Sequence, residues 1–487
     1  MSKTTLKLKL VSLTPVHIGA AQEKHLARGV DYIAKDGSIL FLDEQKILTK
    51  LRIDQYCNDL SRRKLQDSLA QLGIDQFVKE TVPVAGEIGT DIKIHVTEPI
   101  GNRPYIPGTS LKGAIRSILF HHAKRPQHKK EQEAFGWIQE DGFRYIQVGD
   151  SHFEESMYIN TKTFNLMKRG HEFEGGWKGS NQTNPDFSPK GFTFPYECIG
   201  IHQIADIRIV MNSDGYEKAT KRKDYKGKSL VKEVNTLSQV LTNKKNLFQI
   251  IQTYTDQYLQ AEIDFFTKYS NQQTDTIIAA LTSLKEKNSQ APVIRVGQGS
   301  GFHSITGNHH FPTDHSINGI NNWGKGQLNG RDSAKSRKLA FERLGDEYVF
   351  YPMGFVQLID PEIYQEYYAS LQSQIKQEKD ELIAHEAKAE EQRKAEQEKI
   401  RVEAEEAKKP QMTLLSHLNN RIAILIDAIV TGKEGNNVLA APQVETMLET
   451  TISVRYPVGF PLGSTIQIKA KYSKKKLLIE GSPRLKK

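Results

Sequence analysis

Cysteine is nearly absent from this 487-residue chain, which has only Cys57 and Cys198. Two thiols cannot build a disulfide framework or a cysteine-rich zinc site. Such scarcity suits a reducing compartment, so a cytoplasmic protein is expected. No run of about 18 apolar residues occurs, and this excludes a helical membrane span. Met1-Ser2-Lys3-Thr4 leads straight into alternating residues and lacks the apolar core of a signal peptide. Acidic residues are the minority among charges: 67 Lys and Arg against 58 Asp and Glu leave a formal charge of +9. A basic balance favours a nucleic-acid partner, because cations that neutralise phosphates release counterions, although many basic proteins bind none.

Strand and helix patterns then alternate. Leu6, Leu8 and Leu10 between Lys7 and Lys9 predict a half-buried strand that ends at Thr14-Pro15. "SILFLDEQKILTKL" predicts a strand and then a helix capped by Asp43. Residues 55–80 read as helical, 81–103 as a loop or irregular hairpin, and 170–192 as a polar loop. "YIQVGDSHF", "MYINTKTFNLM" and "IHQIADIRIVM" read as strands, residues 236–285 as mostly helical, and "YVFYPMGFVQLID" as one strand. The rhythm suggests an α+β chain with one or two ferredoxin-like β-α-β units. Residues 362–410 are mostly Glu, Lys, Gln and Ala without a sustained apolar seam, a long helical linker with no strongly buried face. The boundaries expected are therefore 1–361, 362–410 and 411–487, the last holding a short apolar helix, "LLSHLNNRIAILIDAIV", and a small β extension.

Three stretches carry chemistry. In "PYIPGTSLKGAIRS" a Pro107-Gly108 turn starts a helix, Thr109 or Ser110 can cap it, and Lys112 and Arg116 share a face at i and i+4. Leu111, Ile115, Ile118 and Leu119 can dock the other face on a sheet. Free N–H groups at such a helix start, with two cations nearby, suit a phosphodiester backbone. An ordinary capped helix with solvated cations fits the same spacing. The nucleotide-binding P-loop spacing is absent. In "RVGQGSGF", Gly297, Gly299 and Gly301 let backbone approach a ligand, or make a tight hairpin, while Arg295, Phe302 and His303 offer a cation and rings to phosphate and base. In "LTPVHIGA", His17 precedes Gly19 and can serve as a hydrogen-bond partner or as an acid or base. His303, His309, His310, His315 and Asp314 lack a recognisable ligand spacing, so no metal is expected.

Together, "LTPVHIG", "YIPGTSLKGAIRS", and "RVGQGSGF" followed by "PMGFVQL" resemble the RAMP superfamily of CRISPR proteins, and within it the fifth Csm subunits of type III-A effectors. The resemblance covers residues 1 to about 360. It implies ferredoxin-like, RNA-recognition-motif-like units and a place in a ribonucleoprotein assembled on a guide RNA. It further implies a non-catalytic role capping the guide's 3′ portion and aiding its maturation. Guide RNA, target RNA and the other effector subunits are the implied partners, and no cofactor besides the RNA is implied. Carried over, His17, Gly19, Gly108, Ser110, Lys112, Arg116, Gly297, Gly299 and Gly301 are the implied RNA contacts. The first strand lacks paired aromatics for base stacking, so backbone contacts tolerant of sequence are expected. Asp31, in "HLARGVDYIAKDG", occupies a place broadly like that of the cutting aspartate in a slicing relative. A structural hydrogen bond is the expected role for Asp31, with an endoribonuclease using Asp31 or His17 as the alternative. A third reading has the tail recruit an external nuclease. Deleting residues from 362 onward is expected to leave RNA binding largely intact.

Overall fold

Period-two alternation puts Leu6, Leu8 and Leu10 of Lys3–Ser12 on one buried face. In the computed structural model this strand is the centre of a five-stranded sheet. The spatial order is Val293–Arg295, Phe355–Ile359, Lys3–Ser12, Ile204–Asn212 and Ile146–Val148, with all neighbours antiparallel. The structure describes residues 3–20, 25–35, 37–54, 56, 62–123, 131–299, 335–345, 347–408, 413, 415–418, 421–445, 447, 449–455 and 460–486.

The helix Gly108–Ala123 lays Leu111, Ile115, Ile118 and Leu119 against the leucine face of this sheet, as its spacing predicts. A second sheet of eight strands is built on the long strand Ser156–Arg169, which pairs with Phe194–Ile199, Glu172–Lys178 and Ser336–Leu344. Val11 and Leu13, from the end of the first strand, join Trp177, Tyr258, Phe265 and Phe350 in a second core. The helices Lys244–Lys268 and Thr274–Gln290 pack on each other beside it. The result is the mixed α/β architecture of ferredoxin-like units that the sequence led us to expect.

Four local expectations need correction. Among the described residues of 55–80, Tyr56 and Arg62–Leu72 are helical as expected, but a short 3-10 turn and the strand Val78–Pro83 follow. Residues 170–192 include the strand Glu172–Lys178, where Gly175 and Gly176 admit close neighbours that the polar composition does not reveal. "YVFYPMGFVQLID" is two strands, Glu347–Pro352 and Phe355–Ile359, in different sheets and divided at Met353-Gly354. The apolar run near 424 is the strand Ile424–Glu434, because Ile426, Ala428 and Val430 recur at period two and are all buried.

By compactness the chain has two units, Met1–Ile383 and Ala384–Lys487. The helix Pro361–Lys408 begins in the first unit, where Leu371 is buried and the Tyr367 hydroxyl donates to Gln357 Oε1 at 2.8 Å. The second unit has its own five-stranded antiparallel sheet over Ile426, Ala428, Val438, Ile466 and Ile468. Among the described residues, no helix is long and apolar enough to cross a membrane.

Candidate nucleic-acid interface

Three loops far apart in sequence are knitted together at one end of the two sheets. Gln298 N–H donates to the His17 carbonyl at 2.8 Å, Gly354 N–H to the Pro15 carbonyl at 2.9 Å, and Val296 N–H to the Gly354 carbonyl at 2.7 Å. Gly297 has φ +84°, and a Cβ there would lie 2.4 Å from the His17 carbonyl oxygen. Only glycine combines that left-handed backbone with so close an approach. Gly299, also left-handed, faces Met353. The structure thus brings the His17-Gly19 loop and the Gly297-Gly299 loop together. Gly301, Phe302 and His303 lie outside the described residues, as do His309, His310, Asp314 and His315.

A cavity of about 450 Å³ opens beside the joined loops, lined by His17, Gly19, Lys93, Phe194 and Gln298 among others. Lys93 Nζ sits 5.8 Å and Lys338 Nζ 4.8 Å from the centre of the Tyr196 ring. Lys338 also donates to the Tyr196 hydroxyl at 2.5 Å. Among the described residues, neither lysine forms an ion pair with a carboxylate. Asp91, at the same cavity, is engaged by His25 Nε2 at 3.5 Å and by Arg28 N–H at 3.0 Å. Burial, aided by the charge on Lys93, pulls the Lys338 ammonium down to about 8. Two cations at the same ring without a carboxylate counterion make their surroundings favourable to an anion. Neither lysine was singled out from the sequence. Lys93 alternates with Ile92 and Ile94 like any solvent-facing strand residue, and Lys338 lies in a strand that only the fold places here.

His17 is 1% exposed, and its Nδ1 lies 2.7 Å from the Glu197 carbonyl. A carbonyl only accepts, so Nδ1 carries the proton. Burial, opposed in part by that hydrogen bond and reinforced by the charges on Lys93 and Lys338, lowers the imidazole to about 4. His95 supports the same loop: its Nδ1 accepts from Ile18 N–H at 3.1 Å and its Nε2 donates to the Tyr105 carbonyl at 3.0 Å.

The Gly108–Ala123 helix is organised differently. Its start is capped by the Asp150 carboxylate, which accepts from Gly108 N–H at 2.6 Å, and not by Thr109 or Ser110. Ser110 N–H donates to the Pro107 carbonyl at 2.9 Å. Gly108 is buried, and its position requires glycine because a Cβ there would strike the Val148 carbonyl oxygen. The chain's own carboxylate therefore occupies the place expected for an outside anion. Arg116 is held by Glu131 at 2.7 Å and Asp141 at 2.8 Å, with its guanidinium over Phe135 and Phe143. Lys112 shares that face, 5.6 Å from the Phe143 ring, and partial burial lowers its pKa. Both line an open groove with Ile138 and Arg144 rather than the cavity at His17.

Arg295 also turns inward. It donates to the carbonyls of Met353 at 2.9 Å and Gly299 at 3.0 Å and to the Tyr258 hydroxyl, which clamps the glycine loop. The exposed Asp31 accepts from Ala27 N–H at 2.6 Å and closes a turn before the strand Tyr32–Lys35.

The chain matches the RAMP superfamily over residues 9–284, more than half its length, and belongs to that superfamily. Curated relatives include the CRISPR system protein Csm5 of Methanocaldococcus jannaschii, 27% identical over 37% of this chain and 52% of that protein. The Csm5 of Streptococcus thermophilus is 25% identical over 31% of this chain and 48% of that protein. The chain spans about half the length of the curated relatives it matches. A chain of a Csm–crRNA–target RNA ternary complex from a type III-A system aligns with a TM-score of 0.49 at 18% identity, over 73% of this chain and 100% of that one.

Proposed function

We propose that this chain is a non-catalytic RNA-binding subunit of a type III CRISPR ribonucleoprotein. It holds the 3′ portion of the guide RNA, contacts neighbouring subunits, and contributes to assembly and guide maturation. Superfamily membership and likeness to Csm5 proteins support the setting. The observation that carries the reading is Lys93, which lines the cavity beside the joined His17 and Gly297 loops, with Lys338 at the same Tyr196 ring, neither having a carboxylate partner among the described residues. Lysines and glycine backbone contact phosphate and sugar, which every nucleotide shares, so one surface accepts any spacer sequence.

The engagement of Asp31 in its own turn favours a structural role over a cutting one. The test is recovery of the chain with its co-purifying RNA. RNA of uniform 5′ end is expected with the wild type, and the Lys93→Ala, Lys338→Ala double variant should lose most of it. Unchanged RNA content in the double variant would remove the site from consideration.

A further inference from the structure

His17 holds an unused acceptor. Nδ1 carries the proton toward Glu197, so Nε2 presents a bare lone pair. That atom is buried and has no hydrogen-bond partner among the described residues. Such an orphan is a standing cost to the fold unless something else fills the need. Next to it is Gly19, which is exposed and lines the cavity. A Cβ built on Gly19 would meet only His17 Nε2 within 4 Å among the described residues, at 3.7 Å. With no side chain at Gly19, only the loop itself covers that atom on the cavity side among the described residues.

The missing partner must be a donor. Phosphate oxygens at neutral pH only accept, which excludes the group that Lys93 and Lys338 would hold. Base edges carry donors, but these change with sequence, and a backbone-reading surface cannot depend on them. The ribose 2′-hydroxyl is the donor that every RNA nucleotide carries next to its phosphate and that DNA lacks. Resting on the proposed RNA-binding role, we propose that a bound strand parts the loop at Gly19 and that His17 Nε2 then accepts a hydrogen bond from a ribose 2′-hydroxyl, so that this site distinguishes RNA from DNA.

The test compares binding of three short single strands of one sequence to the intact chain: RNA, DNA, and RNA with 2′-fluoro sugars. The fluoro strand keeps the RNA-like sugar pucker but cannot donate. RNA is expected to bind about three- to tenfold more tightly than either other strand, the worth of one hydrogen bond. Gly19→Ala is expected to bring the RNA-to-DNA ratio to about one. Its methyl would sit in ordinary contact with Nε2 and keep a hydroxyl from reaching it, and Gly19 does not have the positive φ that would strain an alanine. His17→Phe should do the same if it folds, and the alanine variant decides the matter if it does not. Equal binding of RNA and fluoro strand, or an unchanged ratio in Gly19→Ala, would overturn the inference. If Lys93→Ala and Lys338→Ala weaken both RNA and DNA in that case, the binding site survives and only the role of His17 fails. If neither lysine matters to any strand, the RNA-binding reading fails with it.

Discussion

Gly297 and His17 are locked against each other. A Cβ on the glycine would lie 2.4 Å from the histidine carbonyl oxygen, and the next N–H, that of Gln298, donates to the same oxygen at 2.8 Å. Gly297→Ala should therefore cost both a left-handed backbone penalty of about 1 kcal/mol or more and a displaced loop. Gly170, with φ +62° and nothing within 4 Å of its Cβ position, separates the two effects. In denaturant unfolding Gly170→Ala should lose about 1 kcal/mol. Gly297→Ala should lose clearly more and also weaken RNA binding, and equal losses would contradict the interlock.

RNA affinity should fall steeply with salt, with a log–log slope of about −0.7 for each phosphate neutralised on a single strand. Lys93→Ala and Lys338→Ala should each flatten that slope by about one, with little change in preference among sequences. Binding isotherms at several salt concentrations measure this. A wild-type affinity independent of salt would argue against backbone recognition.

Stability should depend on pH in two windows. His17 and His95 have folded values of about 4 against 6.5, so the unfolded chain takes up their protons first. The stability they contribute, on the order of 3 kcal/mol each, is present above 6.5 and lost as the pH falls toward about 4. Lys162 and Lys338 lie at about 8 against 10.5, so stability rises with pH between those values. RNA affinity should move the other way there, because Lys338 loses its charge. Thermal unfolding and binding measured from pH 7 to pH 10 should diverge, and parallel curves would rule out Lys338 as a phosphate contact.

Arg337 and Glu262 form a pair at 2.7 Å with side-chain exposures of 7% and 5%, and the guanidinium lies 3.9 Å from the Phe265 ring centre. Glu262→Ala should destabilise the first unit by about 3–5 kcal/mol because it removes the carboxylate of a buried ion pair. Glu262→Leu combined with Arg337→Met should recover most of that loss in chemical denaturation. A mild effect of the single alanine variant would mean the charges are hydrated in solution.

Truncation separates composition from packing. A chain ending at Ile383 keeps Tyr367 and Leu371 on the core, whereas deletion from residue 362 onward removes both. The longer chain should unfold at a higher temperature and retain RNA binding. The shorter one should lose about 2–5 kcal/mol, in the range of removing a large buried apolar side chain. Identical melting temperatures would show that the first turns of the helix contribute nothing.

Local pattern settled a good part of this protein. The leucine alternation in Lys3–Ser12, the Asp43 cap and the buried stripe of Gly108–Ala123 follow from residue order, because periodicity alone selects a face. The His17, Gly108 and Gly297 stretches could be marked as special from sequence, since glycine beside polar residues signals close backbone approach. Which cations remain available was a tertiary decision. Arg116 and Arg295 look free in sequence, yet Glu131, Asp141 and the carbonyls of Met353 and Gly299 claim them once the chain has folded. Lys93 and Lys338 look ordinary and end beside one ring, because Ile92–Lys93 and Ser336–Leu344 join the same sheet. Charge compensation depends on distances of a few ångströms between residues on different segments, and only the folded chain sets those distances.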